Sequence, residues 1–83
     1  MYYVYVIQNE AKKFYLGYTE NLKKRLTDHN EGGTESTKNH QWKLVYYEAY
    51  SNKRYAYERE QTLKKNRRMK TLLLKRIKES LSY

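Results

Sequence analysis

The sequence predicts a small α+β domain: a three-stranded antiparallel sheet with flanking helices, in the order β-β-α-β-α-α. Three observations carry that expectation. Tyrosine-rich, β-branched runs occur three times, at residues 2–7, 14–18 and 42–50. Leucines recur at helical spacing after the second run, and apolar residues do so again after the third. The 83 residues suffice for one domain and not two, because a chain of this size buries only roughly 60% of its unfolded surface. No internal repeat, linker or proline divides it, so residues 1–83 are read as a single unit.

The first run has Val4 and Val6 alternating with Tyr3, Tyr5 and Ile7, so both faces of this strand are expected to be covered. Residues 8–13 are polar. Phe14 to Tyr18 resumes the strand pattern near Gly17, which gives a hairpin without a strong turn dipeptide. Thr19 or Asn21 then caps a first helix carrying Leu22, Leu26 and His29, and Gly32-Gly33 ends it. Residues 31–41 lack periodicity and are expected to be a mobile surface loop, with His40 in it. The run from Trp42 to Tyr50 is the third strand. Ser51-Asn52 is a turn and cap for a helix from about Lys53 to Lys65, and Asn66-Arg67-Arg68 interrupts it. Met69, Leu72, Leu73, Arg76, Ile77 and Ser80 trace a last amphipathic helix.

Composition narrows the partners. The net charge is +9, from 18 Lys and Arg against 9 acidic residues, which favours a polyanion. The sequence has no apolar run of membrane-spanning length and no leader-like apolar segment, so no membrane partner and a cytoplasmic location are expected. There is no Cys and there are two His, so thiol chemistry and Cys- or His-rich metal sites are excluded. A metal would have to rest on carboxylates, which suits Mg²⁺ or Mn²⁺.

Charged residues stand where packing calls for apolar ones. At about 100° per residue, Arg25 and His29 share the inward stripe of Leu22 and Leu26. Glu60 lies between Ala56 and Leu63 on the inward face of the next helix. An unpaired buried charge is costly. The plain explanation is that Arg25 and Glu60 pair or keep their heads in water. The functional one is a polar cleft with Glu60 on a metal, Arg25 on a phosphate and His29 assisting. Glu58 falls on nearly the opposite face from Glu60 and reads as a solvated charge, as does Asp28. Basic clusters at Lys23-Lys24-Arg25, Lys64-Lys65, Arg67-Arg68 and Lys75-Arg76 fit solvated faces one by one and a phosphate-binding surface as a set.

These residues fall in a known arrangement. Tyr3-Val4-Tyr5, nine intervening residues and Tyr15-Leu16-Gly17 resemble the paired motifs that name the GIY-YIG nuclease superfamily. Tyr3 departs from the name, standing where Gly is usual. The segment from Asn21 to Leu26 is similar to the family's helix with its catalytic Arg, and His29 follows four residues after Arg25. Ala56, Glu60 and Leu63 resemble the helix with the metal-binding Glu. The resemblance covers nearly the whole chain and is closest to the small stand-alone bacterial members, related to the nuclease domain of the bacterial excinuclease and so to DNA repair. Larger members often carry an Asn about a dozen residues after the metal Glu. Leu72 holds that place here, and Asn66 is nearer.

The resemblance implies an endonuclease that hydrolyses phosphodiester bonds in DNA, structure-selective or weakly specific, with one Mg²⁺ or Mn²⁺ on Glu60. It implies catalytic roles for Tyr5, Tyr15, Arg25, His29 and Glu60. Tyr5 resembles the general base, which requires a cation to lower a phenol pKa of ~10, or a metal to supply hydroxide. The nucleic-acid contacts expected are Lys24, Arg25, Lys64, Lys65, Arg67 and Arg68, while Tyr18 and His40 have less in their favour. A monomer or weak homodimer is expected. Two alternatives stand beside this reading. One is a catalytically silent nucleic-acid-binding module of the same fold. The other is an interaction protein that uses Leu72, Leu73 and Ile77, residues that could equally close the core.

Overall fold

The structure is a computed structural model in which residues 1–33 and 37–82 are described. It has the expected order: β1 (Tyr2–Asn9), β2 (Phe14–Thr19), α1 (Leu22–Asn30), β3 (Trp42–Tyr50), α2 (Lys53–Lys65) and α3 (Arg67–Leu81). The strands form one antiparallel sheet in the order β2-β1-β3, so β1 is central. This explains the double-sided apolar pattern of β1, because a central strand between helix layers is buried on both faces.

Alternation along β1 sorts the core into two halves. Val4 and Val6 point to one face, where Leu16, Ala56, Leu63 and Ile77 join them from β2, α2 and α3. Tyr5 and Ile7 point to the other, where Trp42 and the half-buried Tyr15, Leu22, Leu26 and Leu44 pack. The sheet thus lies between α1 on one side and α2 with α3 on the other. A register shift between Val6 and Ile7 inserts one extra residue in β3. Ile77 is buried and Leu73 half-buried against the core, so α3 uses these residues to close it, while Leu72 is exposed.

The local signals have clear outcomes. The β1–β2 turn is organised by the buried Asn9, whose Oδ1 accepts from the backbone N–H groups of Ala11 (2.9 Å) and Lys13 (3.0 Å). That side chain replaces the absent turn dipeptide. Of the two candidate caps of α1, Asn21 does the capping: its Oδ1 accepts from Lys24 N at 3.0 Å, while Thr19 Oγ1 accepts from Asn21 N. Asn52 caps α2 and Asn66 caps α3, so the polar interruption at Asn66 is a helix boundary.

The expected mobile loop needs correction. Residues 34–36 lie outside the described residues. After them, Thr37 is fully buried; its Oγ1 is 2.9 Å from His29 Nδ1 and its carbonyl accepts from Trp42 Nε1 at 2.9 Å. His40 is fixed as well, with Nδ1 at 2.7 Å from Glu10 Oε2 and its ring against Trp42. Gly33, at φ +37, is required here because a Cβ would stand 2.3 Å from Thr37 Oγ1. Composition reads these residues as polar and hides the fact that Thr37 uses its polar atoms inside the fold.

Candidate active site

Tyr5 is the centre of the polar cluster. It is 2% exposed, and its ring lies across the backbone of Gly17, its cross-strand partner. A Cβ at Gly17 would stand 2.3 Å from the Tyr5 hydroxyl, so the glycine is what lets the ring lie down. The hydroxyl then meets two side chains of α1. His29 Nε2 is 2.7 Å away, and Arg25 Nε donates to the same oxygen at 3.4 Å. The phenol oxygen can accept from Arg25 and either donate to Nε2 or accept from it; the His29 tautomer that takes the Tyr5 hydrogen at Nε2 is the one that donates from Nδ1 to Thr37 Oγ1. The result is a continuous row: Arg25, Tyr5, His29, Thr37.

The electrostatics follow from burial. Desolvation raises the Tyr5 pKa; Arg25 opposes this by hydrogen bond and charge, while the charges of Tyr15 and Glu60 add to it, and the net value stays above 10.0. Of the two routes by which Tyr5 could serve as base, lowering by a neighbouring cation or hydroxide supplied by a metal, Arg25 alone does not provide the first, since burial outweighs it. Desolvation, then the Arg25 charge, lowers the pKa of His29, which is 1% exposed. Burial and the Arg25 charge thus both disfavour the charged form of His29 where it meets the Tyr5 hydroxyl. Arg25 is half-buried on α1, and no carboxylate among the described residues lies within ion-pair distance of it. Its guanidinium remains available to an anion.

Tyr15 joins through rings, edge-on to His29 at 5.0 Å and to Trp42 at 6.3 Å. Glu60 stands on α2, the helix packed on the other face of the sheet, and acts on Tyr5 through its charge rather than by a hydrogen bond. It is 7% exposed, its Oε1 accepts from Gln61 Nε2 at 2.9 Å, and its Oε2 lies 3.2 Å from Lys64 Nζ. The pairing of Arg25 with Glu60 that packing alone suggested does not occur. Among the described residues there is no group of three or more His, Cys, Asp or Glu side chains that could hold a metal ion.

The other sequence candidates divide clearly. Glu58 is a surface residue paired with Arg54, and Lys24 reaches Asp28 at 3.7 Å on the exposed side of α1. Lys65, Arg67 and Arg68 are exposed, as expected for phosphate contacts, whereas Lys64 is held at Glu60. Tyr18 packs on the opposite sheet face against Tyr57, and His40 sits with Glu10. Asn66 spends its side chain capping α3.

Sequence reasoning missed Glu48. It lies opposite Val4 on the α2–α3 face, where Arg59 Nε and Nη2 bond its two oxygens at 2.9 and 3.0 Å. The hydroxyls of Tyr46 and Tyr50 donate to it as well. Burial pushes its pKa up, but these four donors outweigh that and leave it lowered. The signal was present in the alternation Tyr46, Glu48, Tyr50, which places all three on one face.

Comparison with known proteins agrees with this geometry. The GIY-YIG catalytic domain family matches residues 1–72. The chain belongs to that family. It is 40% identical over 84 residues to a UPF0213 protein of Clostridium perfringens, covering 95% of this chain and 90% of that protein. UPF0213 proteins of Streptococcus pyogenes serotypes M5 and M2 are each 40% identical over 67 residues, covering 78% of this chain and 73% of theirs. No solved structure is significantly similar. The GIY-YIG match spans every residue of the Tyr5 cluster and Glu60. Among the described residues, no helix is long and apolar enough to cross a membrane.

Proposed function

We propose that this GIY-YIG chain is an endonuclease hydrolysing phosphodiester bonds in DNA, and that Tyr5, Tyr15, Arg25, His29 and Glu60 form its active site. The row Arg25–Tyr5–His29 carries the reading. A half-buried cation without a carboxylate partner among the described residues, beside a phenol bonded to an imidazole, has little value for packing, and it suits a phosphate under attack by water.

In this reading Arg25 holds the scissile phosphate with its planar donor fork and offsets the charge that grows in the transition state. Water attacks phosphorus and gives a proton to the Tyr5 oxygen, while the Tyr5 proton passes to His29 Nε2. Tyr5 never needs to exist as a free phenolate, which its raised pKa disfavours. The leaving oxygen is protonated from solvent, and the imidazolium returns its proton there. Thr37 holds the His29 ring by Nδ1, and the Tyr15 ring braces it. A single Mg²⁺ or Mn²⁺ fits Glu60, because Mg²⁺ is commonly bound by one or two carboxylates, waters and substrate phosphate. When bound, such an ion supplies Lewis-acid stabilisation of phosphate charge. Lys64 and the ion compete for the same carboxylate. Exposed Lys65, Arg67 and Arg68 extend the phosphate-binding surface.

One observation favours a second reading, a nucleic-acid-binding module without chemistry: both Glu60 oxygens already have partners. Cleavage of labelled single-stranded, duplex, flap and branched DNA, with Mg²⁺, Mn²⁺ or EDTA, separates the two. Metal-dependent cutting that falls at least about 10²-fold in Glu60→Gln supports the nuclease. Salt-sensitive binding without cutting on any substrate selects the silent module.

A further inference from the structure

The α1 face of the sheet is only partly covered by α1. Leu22 and Leu26 pack on the group of Tyr5, Ile7 and Trp42. Tyr3 and Tyr47 lie on the same face beyond that cover. Tyr3 stands two residues before Tyr5 on β1 and so projects to the same side, about 6.7 Å along the strand. Tyr47 is the cross-strand partner of Tyr5 on β3. The two rings meet edge to face, with centroids 5.9 Å apart and planes at 70°. Tyr47 is 54% exposed although it sits mid-strand beside a residue that is 2% exposed. The neighbours of Tyr3 across the sheet, Thr19 and Ala49, are short side chains.

We propose that Tyr3 and Tyr47 form a stacking platform for an unpaired nucleobase beside the phosphate bound by Arg25, so that the site selects single-stranded or unwound DNA over intact duplex. The proposal rests on the reading of the Tyr5 cluster as a phosphodiester site. Tyr47 pairs with Tyr5 on β3, while the Tyr5 ring runs the other way over Gly17 on β2, so a base on the ring pair and a phosphate at Arg25 and the Tyr5 hydroxyl lie on either side of β1 along one face of the sheet, as parts of one strand laid across it. Aromatic faces accept any base, because every base has a π-face, and the net charge of +9 holds the backbone. In an intact duplex the bases are already stacked on one another and cannot be offered to a protein ring. Tyr55 and Tyr57 are similarly exposed, but they lie on α2, and Tyr57 is turned to Tyr18 on the opposite face of the sheet.

Fluorescence anisotropy with a short labelled DNA strand, alone and annealed to its complement, tests this in Glu60→Gln protein, where cutting does not interfere. The Tyr3→Ala/Tyr47→Ala double variant is expected to bind the single strand on the order of tenfold more weakly and the duplex less than about twofold more weakly. Tyr3→Phe/Tyr47→Phe, which keeps the rings, and Tyr55→Ala are expected to bind both as the parent does. Should the double alanine variant unfold, Tyr47→Ala alone carries the test, since that side chain is largely outside the core. Equal weakening on both forms, no weakening, or no single-strand binding by the parent would overturn the platform. Failure of cleavage with selective binding intact would remove the nuclease and leave the platform. Cleavage with no single-strand discrimination would do the reverse.

Discussion

Two sets of side chains in this molecule each contain an arginine, a glutamate and two tyrosines, and they are wired in opposite ways. In the Glu48 set, Arg59 meets both carboxylate oxygens and Tyr46 and Tyr50 donate to them. Every charge is answered inside the set, and the Tyr46 phenol is pushed up to about 12 by burial and by Glu48. In the Glu60 set, the carboxylate is held by Lys64 and Gln61, and Arg25 donates to the Tyr5 hydroxyl with no carboxylate among the described residues at ion-pair distance. A closed network fixes β3 to α2 and leaves neither carboxylate oxygen over, whereas in the open one Arg25 stands beside the Tyr5–His29 hydrogen bond without a carboxylate partner among the described residues. Composition does not distinguish them; connectivity does.

Gly17→Ala attacks the open set without touching any of its functional groups. The new methyl occupies the place of the Tyr5 hydroxyl, so the ring must move. Misplacing a catalytic group by about 1 Å costs on the order of 10²-fold in rate. Cleavage is expected to fall by that amount in single-turnover assays, with stability reduced by about 1–3 kcal/mol from overpacking. A rate within about threefold of the parent would mean that Tyr5 has no part in the chemistry.

Glu48→Ala opens the closed set. It leaves Arg59 and two phenols without their acceptor, and urea unfolding should show a loss of about 1–3 kcal/mol, with cleavage per folded molecule retained. The Glu48 pKa is lowered in the fold, so its contribution is fully present above its ordinary value of 4.5 and fades as pH falls through the lowered value. The gap between parent and variant should therefore close in acid.

The finest test within the open set is its pH dependence. His29 has a lowered pKa in the fold, so below its ordinary value of 6.5 the unfolded chain takes up that proton first. Stability falls as pH drops from 6.5 to the lowered value and rises on the way back. The acid limb of kcat/KM should lie below pH 6.5, and His29→Gln should lose that limb along with most of the rate. A limb above 6.5 would assign the proton acceptor elsewhere.

Much of this is legible in the sequence. Period-two runs mark the strands, and Val4 and Val6 alternating with Tyr5 and Ile7 mark β1 as buried on both faces. Arg25, His29 and Glu60 stand out because a helical stripe makes them inward. Less is legible wherever function depends on which partner a polar atom finds. Thr37 reads as loop and is buried because Trp42 and His29 use both its oxygens. Lys64 reads as surface charge and is the ion partner of Glu60. The rise of the Tyr5 pKa depends on how far burial outweighs Arg25, which spacing along a chain does not encode.

The central contrast is between Arg25 and Arg59, and one paired measurement addresses it directly. Arg25→Ala and Arg59→Ala are compared for Tm and for single-turnover cleavage of the best DNA substrate, normalised to folded protein. The expected result is a double dissociation. Arg25→Ala loses at least about 10²-fold in rate with a small change in Tm, while Arg59→Ala lowers Tm by several degrees, on the order of 4–8 °C per kcal/mol, and keeps its rate. Equal rates in the two variants, or a rate loss confined to Arg59→Ala, would contradict the assignment of the open set as the active site.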